Sequence, residues 1–347
     1  MGFYLTEFNP LMDSAVCASG SFSQSLFLGA NSWAGASIMA LLASAAVLAF
    51  LYMLATLLQN QSALANVRLE LYEFAVTAAI LTVVFLLLNG MCSVKTSWVY
   101  PDISSVNPDW ADKSMYYSST NYLMQFADYT LRIMSLQYVA YMFIDWVTSM
   151  EISSTPMGIG ATLKPVSGLG SVFKPVLNNA FSAETIGVVT TEAQVYVMDY
   201  GSYGLLKYFL PLGLVLRSFN VTRRIGGTLI ALTLVFLFIY PPLVILTYAP
   251  VNASMLSTID YFKGAYGAGV IGASTGLWMF IQFAATYLWG PDFLFAYALA
   301  TMPAAAKIFF GAVFMPLFNT VILVTTARYL SKALGEEIDI TNLTRMI

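Results

Sequence analysis

Long uncharged stretches dominate the pattern of hydrophobic and polar positions along this chain. Asp, Glu, Lys and Arg are absent from residues 35–58, 74–94, 226–259, 264–291 and 308–327. A helix that crosses the hydrocarbon core of a bilayer needs about 20 predominantly apolar residues. Helices also satisfy their own backbone hydrogen bonds, which lipid cannot do. The pattern therefore predicts an all-α protein, a polytopic bundle of transmembrane helices.

Five spanning helices are predicted, and seven is the next count that the pattern allows. The five cover residues 35–58, 71–92, 185–216, 226–249 and 305–328. Two further regions leave the count open. Residues 121–150 are amphipathic, and residues 264–303 are apolar but interrupted by Gly and Pro. The first would lie on the outer surface or pack on the bundle, and the second would form a re-entrant hairpin or two spans.

The polar segments between the spans are predicted to divide between the two sides of one membrane domain, residues 1–347. That domain would have an external lead-in, an external loop region that contains the amphipathic helix, and a cytosolic tail, at residues 1–34, 93–183 and 329–347.

The external loop region has two features of its own. In the amphipathic helix 121–150, Asp128 and Arg132 are four residues apart and are predicted to pair on one helical face. Residues 153–179 combine repeated Gly and Pro with Ser and Thr, a composition that predicts a flexible external loop.

Composition agrees with the membrane class and excludes several kinds of chemistry. The chain is 59% hydrophobic and 10% charged, with a mean hydropathy of +0.73, whereas soluble domains are about 25% charged. It contains no histidine, which excludes histidine-ligated metal or haem sites and a histidine general base. Its sequence has no phosphate-binding loop and no nucleophile motif. We therefore expect no enzyme activity and no cofactor.

The two cysteines, Cys17 and Cys92, show no metal-ligand spacing. Both fall outside the cell in the predicted topology. A disulfide between them and a pair of free apolar thiols are equally compatible with the sequence.

Orientation follows from a cluster of three arginines. Residues 210–227, LPLGLVLRSFNVTRRIGG, place Arg217, Arg223 and Arg224 between two apolar runs. Because Lys and Arg are enriched in short cytoplasmic loops, this segment is predicted to be a tight cytosolic hairpin. Three short inside segments then hold seven Lys and Arg, whereas the much longer outside segments hold six. The chain is therefore expected in the cell membrane with its amino terminus outside and its carboxyl terminus in the cytoplasm.

This arginine hairpin, residues 210–227, has two interpretations. The three arginines could anchor the topology by contacting lipid headgroups, or they could dock a cytosolic partner or nucleic acid. Gly226 and Gly227 follow them and would let the two backbones of the hairpin approach closely.

The predicted helix 185–216 carries the best candidate for a polar path. At 100° per residue, Asp199 lies about 20° from Glu192, and Lys207 lies about 60° from Glu192 on the other side. Charges within a membrane usually face a bundle interior or a water-filled path. We call Glu192, Asp199 and Lys207 the conduit stripe. The alternative is that the outer half of this helix stands in water.

Two segments carry a family resemblance. They read LPLGLVLRSFNVTRRIGGTLIALTLVFLFIYPPL at residues 210–243 and FFGAVFMPLFNTVILVTTARYLSKALGEEIDI at residues 309–340. Together they resemble archaeal polytopic membrane proteins that are similar in outline to the TrbL-type inner-membrane component of conjugative type IV secretion. The resemblance implies an oligomeric membrane platform or conduit that works beside a cytosolic ATPase and a pilin. It covers about a fifth of the chain and supplies no functional residues.

Two functional hypotheses remain from the sequence. The first is a platform and conduit subunit of a type IV secretion-like or DNA-transfer apparatus, which forms a homo-oligomer and meets nucleic acid only as a transported substrate. The second is a stand-alone membrane channel or transporter, suggested by the conduit stripe. Small residues on the first helix favour close contact with another copy: Gly35, Ala36, Ala40, Ala43 and Ala46.

Overall fold

The structure is a computed structural model that describes most of the chain. The described residues are Cys17, 33–59, 61–103, 108–149, 152–154, 161–163, 167–247, 251, 257 and 301–334. Nearly all of the predicted lead-in, most of residues 264–303 and the tail after residue 334 lie outside them.

Four helices within the described residues are long and apolar enough to cross a membrane: Trp33–Leu57, Gln61–Ser93, Arg223–Thr247 and Thr301–Ala333. They correspond to four of the five predicted spans, and the all-α, multi-pass membrane class is confirmed. The fifth predicted span, residues 185–216, is helical throughout but is not one of these four. The count of five therefore stays a prediction.

The described elements follow one another along the chain as helices, with one very short β pair. In order they are α1 (Trp33–Leu57), α2 (Gln61–Ser93), α3 (Thr96–Val99), α4 (Pro108–Ala111), α5 (Met115–Ser149), β1 (Ile152–Ser154), β2 (Ala161–Leu163), α6 (Ser167–Tyr196), a π-helical segment (Val197–Gly201), α7 (Ser202–Gly204), a second π segment (Leu205–Phe209), α8 (Leu210–Arg217), α9 (Arg223–Phe238), a third π segment (Phe310–Phe314) and α10 (Met315–Ala333). Strands β1 and β2 pair antiparallel, with Ile152 opposite Leu163.

The described elements form two compact units. The first combines residues up to 122 with 195–246 and 317–347, and the second combines 123–194 with 247–316.

The core of the first unit is built from single stripes of otherwise apolar helices. In α2, Thr77, Leu81, Val84 and Leu88 are buried at steps of four, three and four residues, which places them on one helical face. Their neighbours in the cluster include Trp33 of α1, whose ring centroid lies 4.9 Å from that of Phe85. Residues of α8 and α9 complete the cluster: Leu210, Leu214, Ile230 and Leu237.

Hydroxyl groups in these apolar helices form hydrogen bonds to backbone carbonyls of the same helix. The Ser37 hydroxyl donates to the Trp33 carbonyl at 2.9 Å, and the Thr77 hydroxyl donates to the Glu73 carbonyl at 2.9 Å. Such bonds to the preceding turn let polar side chains remain inside an apolar helix without a partner on another helix.

In the second unit, α5 and α6 pack as an antiparallel hairpin. Rings of α5 contact Phe181 of α6, with Tyr141 at 5.9 Å and Tyr138 at 6.4 Å between ring centroids. Further towards the hairpin turn, Lys174 of α6 pairs with Asp145 of α5. The predicted amphipathic helix at 121–150 is confirmed as a helix, although it begins earlier, at Met115.

The predicted pair Asp128 and Arg132 is confirmed as an ion pair, with 2.7 Å between Nε and Oδ2. The prediction of a flexible loop at 153–179 is wrong in its second half, because α6 begins at Ser167 and includes Pro175. Pro175 removes one backbone hydrogen bond and crowds the turn before it, but the helix continues on both sides of it. The Gly- and Pro-rich composition therefore continues past the end of the loop and into α6.

Two of the π segments lie just before a proline. Pro211 follows the segment Leu205–Phe209, and Pro316 follows the segment Phe310–Phe314. A proline in a helix removes one backbone hydrogen bond and crowds the preceding turn, and a wider π turn relieves that crowding. The structure thus places a change of helical geometry just before each of these two prolines.

Candidate functional site

The arginine hairpin is formed by α8, the turn at residues 218–222 and the start of α9. The two helices cross at glycines. A Cβ placed on Gly226 would lie 2.6 Å from the carbonyl oxygen of Gly213 and 2.8 Å from the Cα of Arg217. Only glycine allows the backbones to be this close, so the prediction for Gly226 is confirmed.

Arg217 is a buried residue at the end of α8, only 3% exposed. Its Nη2 donates a hydrogen bond of 3.3 Å to the carbonyl of Leu334, one residue beyond α10. The last carbonyls of a helix lack partners within the helix and carry partial negative charge. Arg217 therefore caps the carboxyl end of α10 and joins it to the hairpin.

Arg223 joins the hairpin to a second helix. Its Nη2 atom lies 2.9 Å from Oε1 of Glu73 in α2, and both side chains are less than one-third exposed. The pair brings the start of α9 to the first part of α2. Two of the three arginines thus have structural partners within the chain.

Arg224 differs from the other two because its side chain is exposed. It shares the tip of the hairpin with other exposed residues, among them Val221, which is 94% exposed. We call the exposed residues Asn220, Val221, Arg224 and Ile225 the hairpin tip. Of the three predicted docking or topology arginines, Arg224 is the one whose charge is open to a ligand or a lipid headgroup.

Two members of the conduit stripe, Asp199 and Lys207, lie in π-helical segments. Asp199 is buried, 1% exposed, and lies in the π segment Val197–Gly201. Lys207 lies in the second π segment, and its Nζ is 5.6 Å from the ring centroids of Tyr203 and Tyr208. Each π segment adds a residue to the helical turn, so the angle of 100° per residue does not apply between these positions.

Glu192 is partly exposed and belongs to the second unit, whereas Asp199 and Lys207 belong to the first. The conduit stripe therefore stays a prediction.

A buried carboxyl group in the second unit was not assigned a role from the sequence. Glu184 of α6 and Gln137 of α5 are both 0% exposed. They are close enough for the Gln137 amide to lower the pKa of the Glu184 carboxyl group, against the larger rise that burial causes. Glu184 lies outside the four candidate spans and precedes the predicted span 185–216. The sequence does indicate one member of this pair. Gln137 follows the apolar Ile133 by four residues, so it lies on the apolar face of α5 although it is polar.

Cys17 and Cys92 are joined by a disulfide, with 5.2 Å between their Cα atoms. Both half-cystines pack against the core cluster of the first unit. The bridge ties a residue of the predicted lead-in to the carboxyl end of α2, across 75 positions of sequence. The sequence left a disulfide and two free thiols as alternatives, and the structure has the disulfide.

No cluster of three or more His, Cys, Asp or Glu side chains that could hold a metal ion occurs in the part of the chain that the structure describes. No family model matches the chain, and neither a curated protein nor a solved structure is significantly similar to it.

Proposed function

We propose that this chain is a platform and conduit subunit of a type IV secretion-like or DNA-transfer apparatus in the cell membrane. The observation that carries the proposal is that the three arginines of one hairpin differ in their contacts and their exposure. Arg217 and Arg223 are used to join helices, and Arg224 is left exposed at the tip. A hairpin that is joined to two other helices and has one exposed cation at its tip suits the docking of an acidic surface on a cytosolic ATPase.

The apolar surface of the chain supports a homo-oligomer. Within the most apolar windows of α1, α2 and the helix Thr301–Ala333, only 17%, 22% and 17% of residues are buried inside the chain. The remaining surface is available to lipid or to further copies. Ala43 and Ala46 of α1 are exposed, so these small residues could pack closely against a helix of another copy. A passage wide enough for a polymer would then lie between subunits.

The proposed orientation has the amino terminus outside and the carboxyl terminus in the cytoplasm. The arginine hairpin supports it through the enrichment of Lys and Arg in short cytoplasmic loops. The disulfide of Cys17 and Cys92 supports it independently, because disulfides persist on the oxidising side of a membrane. In this arrangement pilin-like subunits would meet the outer side, and nucleic acid would be present only as a transported substrate.

A stand-alone channel or transporter is the second candidate, and Asp199 is the observation that favours it. This carboxyl group is buried within a π segment of a long helix. Ionisable groups within membrane helices commonly mark ion pathways, and π segments are frequent at functional sites.

The test of the first proposal is a charge reversal at the hairpin tip. Arg224→Glu should abolish co-purification with a co-expressed type IV secretion ATPase and reduce DNA transfer by roughly tenfold or more, while oligomer size in native mass spectrometry is unchanged. Arg328→Glu is the matched control, because Arg328 is also exposed and lies near the end of α10.

Two results would decide against the platform. One is a monomer in native mass spectrometry even when the chain is co-expressed with its genomic neighbours. The other is ion flux through liposomes that contain only this chain, if Asp199→Asn removes the flux. The second result would make the stand-alone channel the better hypothesis.

A further inference from the structure

The Glu184 carboxyl group is buried without a compensating charge. Neither of its oxygens has a hydrogen-bond partner among the described residues, and the same holds for both amide atoms of its neighbour Gln137. An ionised carboxylate in such surroundings is strongly disfavoured, because burial removes its hydration. Buried polar side chains in folded proteins nearly always have a partner. The two side chains are therefore poorly matched while Glu184 is charged.

Among the described residues of the second unit, no charged side chain forms an ion pair with Glu184. On α5, Arg132 pairs with Asp128, and on the facing end of α6 Lys174 pairs with Asp145. The remaining described ionisable side chains of this unit are Glu192 of α6, Lys307 of the Thr301–Phe314 run, and the α5 tyrosines 129, 138 and 141. Lys307 and Glu192 are partly exposed, and no ion pair to Glu184 is formed by any described residue.

Protonation removes the mismatch between the two side chains. A protonated carboxyl group has an O–H donor and a carbonyl acceptor, whereas a carboxylate only accepts. A glutamine amide has the complementary oxygen and N–H groups. With one proton bound, the carboxyl O–H can donate to Oε1 of Gln137, and Nε2 of Gln137 can donate to the carboxyl oxygen. The N–H bond could also form to a carboxylate, but only a protonated carboxyl group gives Oε1 of Gln137 a donor, so all four atoms have partners only when the proton is bound.

We propose that Glu184 and Gln137 form a proton-binding site inside the α5–α6 hairpin, in which the buried carboxyl group is held in its protonated form. The bound proton leaves to water and no other bond changes. The proposal does not rest on the secretion function, because the site is defined by α5 and α6 alone.

The electrostatics of the site give the direction of its pH dependence. Burial raises the pKa of Glu184 from its ordinary 4.5 to about 8, and the Gln137 amide opposes this shift only in part. A carboxyl group whose pKa is raised by folding favours the folded state while it is protonated. The contribution is complete below pH 4.5 and is lost as the pH rises through about 8. Alkaline solution should therefore loosen the α5–α6 packing.

Infrared spectroscopy of the full chain in lipid nanodiscs tests the site directly, because a protonated carboxyl group has a carbonyl band that a carboxylate lacks. The difference between wild type and Glu184→Gln at neutral pH should show one such band per chain. In wild type, this band should disappear with a midpoint near pH 8. Glu192→Gln, a change at the partly exposed glutamate of the same helix, should leave the band unchanged.

A second variant keeps the test informative if Glu184→Gln fails to fold. Gln137→Leu retains the carboxyl group and removes the amide that can bond to it in both protonation states. The bond from the amide N–H to a charged carboxylate is the stronger of the two, so the midpoint should move to higher pH. A band that is unchanged by both substitutions would overturn the proposal. So would thermal stabilisation of wild type by sodium over choline chloride at fixed pH and ionic strength, if Glu184→Gln abolished it, because the site would then bind a metal cation.

Discussion

The Nη2 atom of Arg223 lies 2.9 Å from Oε1 of Glu73, so the arginine hairpin is joined by an ion pair to α2. The two residues are 150 positions apart in sequence, and nothing in the spacing of charges suggested that they would meet. This pair explains why an arginine predicted to face the cytosol also has a structural role.

The Arg223–Glu73 pair should show coupling in a double-mutant cycle. Arg223→Ala and Glu73→Ala should each lower the stability of the purified protein, and the double variant should lose less than the sum of the two. We expect a coupling energy of about 1 kcal/mol, because both side chains are partly shielded from water. Thermal unfolding in detergent is the measurement. Arg224→Ala is the control and should change stability by less than about 0.5 kcal/mol. Additive effects of the two substitutions would contradict the pairing.

Gly226 should tolerate no side chain. Gly226→Ala would place a methyl group 2.6 Å from the Gly213 carbonyl oxygen and against the backbone of Arg217, none of which can move without separating α8 from α9. We expect a loss of about 1–3 kcal/mol, as in other overpacked sites. Gly90→Ala is the matched control, since nothing lies within 4 Å of a Cβ at that position. Equal stability of the two variants would show that the helix crossing is looser than described.

The orientation predicts labelling from opposite sides of the membrane. Val221→Cys at the hairpin tip should react with an impermeant maleimide only after the cell is opened, and Asp109→Cys should react in intact cells. Both positions are exposed, and the native cysteines are bonded and should not react. Ser218, although it lies in the same hairpin, is only 1% exposed and is a poor site for the reagent. Labelling of both cysteines from the same side would overturn the orientation.

The extent of the apolar helices could be predicted from sequence because the hydrocarbon core sets a minimum length for an uncharged stretch. The faces that these helices bury could not be predicted from sequence. In α1 the buried residues include Ser37, Ser44 and Leu48, whereas Ala43 and Ala46 are exposed. A helix that is apolar all round has no amphipathic pattern from which its packed side could be read.

The candidate sites likewise combine local features that the sequence predicted with distant contacts that it did not. The arginine hairpin and the close approach at Gly226 are local features, and the sequence predicted them from residues within 18 positions of one another. The partners of Arg217 and Arg223 lie on distant helices, and so does the neighbour of Glu184. Local periodicity carries no information about which distant side chain a helix will meet. The angular argument for the conduit stripe assumed regular α-helix, which the π segments interrupt.

The disulfide between Cys17 and Cys92 should contribute substantially to stability. It closes a loop across 75 positions, and a loop of that size is expected to stabilise the folded state by about 4 kcal/mol, chiefly by restricting the unfolded chain. Cys17→Ser should therefore lower the thermal midpoint, and a reductant should do the same to wild type. The double variant Cys17→Ser/Cys92→Ser should unfold at the lower temperature with or without reductant, which separates loss of the bond from other effects of the reagent. If wild type and the double variant unfold at the same temperature under oxidising conditions, the bridge does not restrain the lead-in against α2.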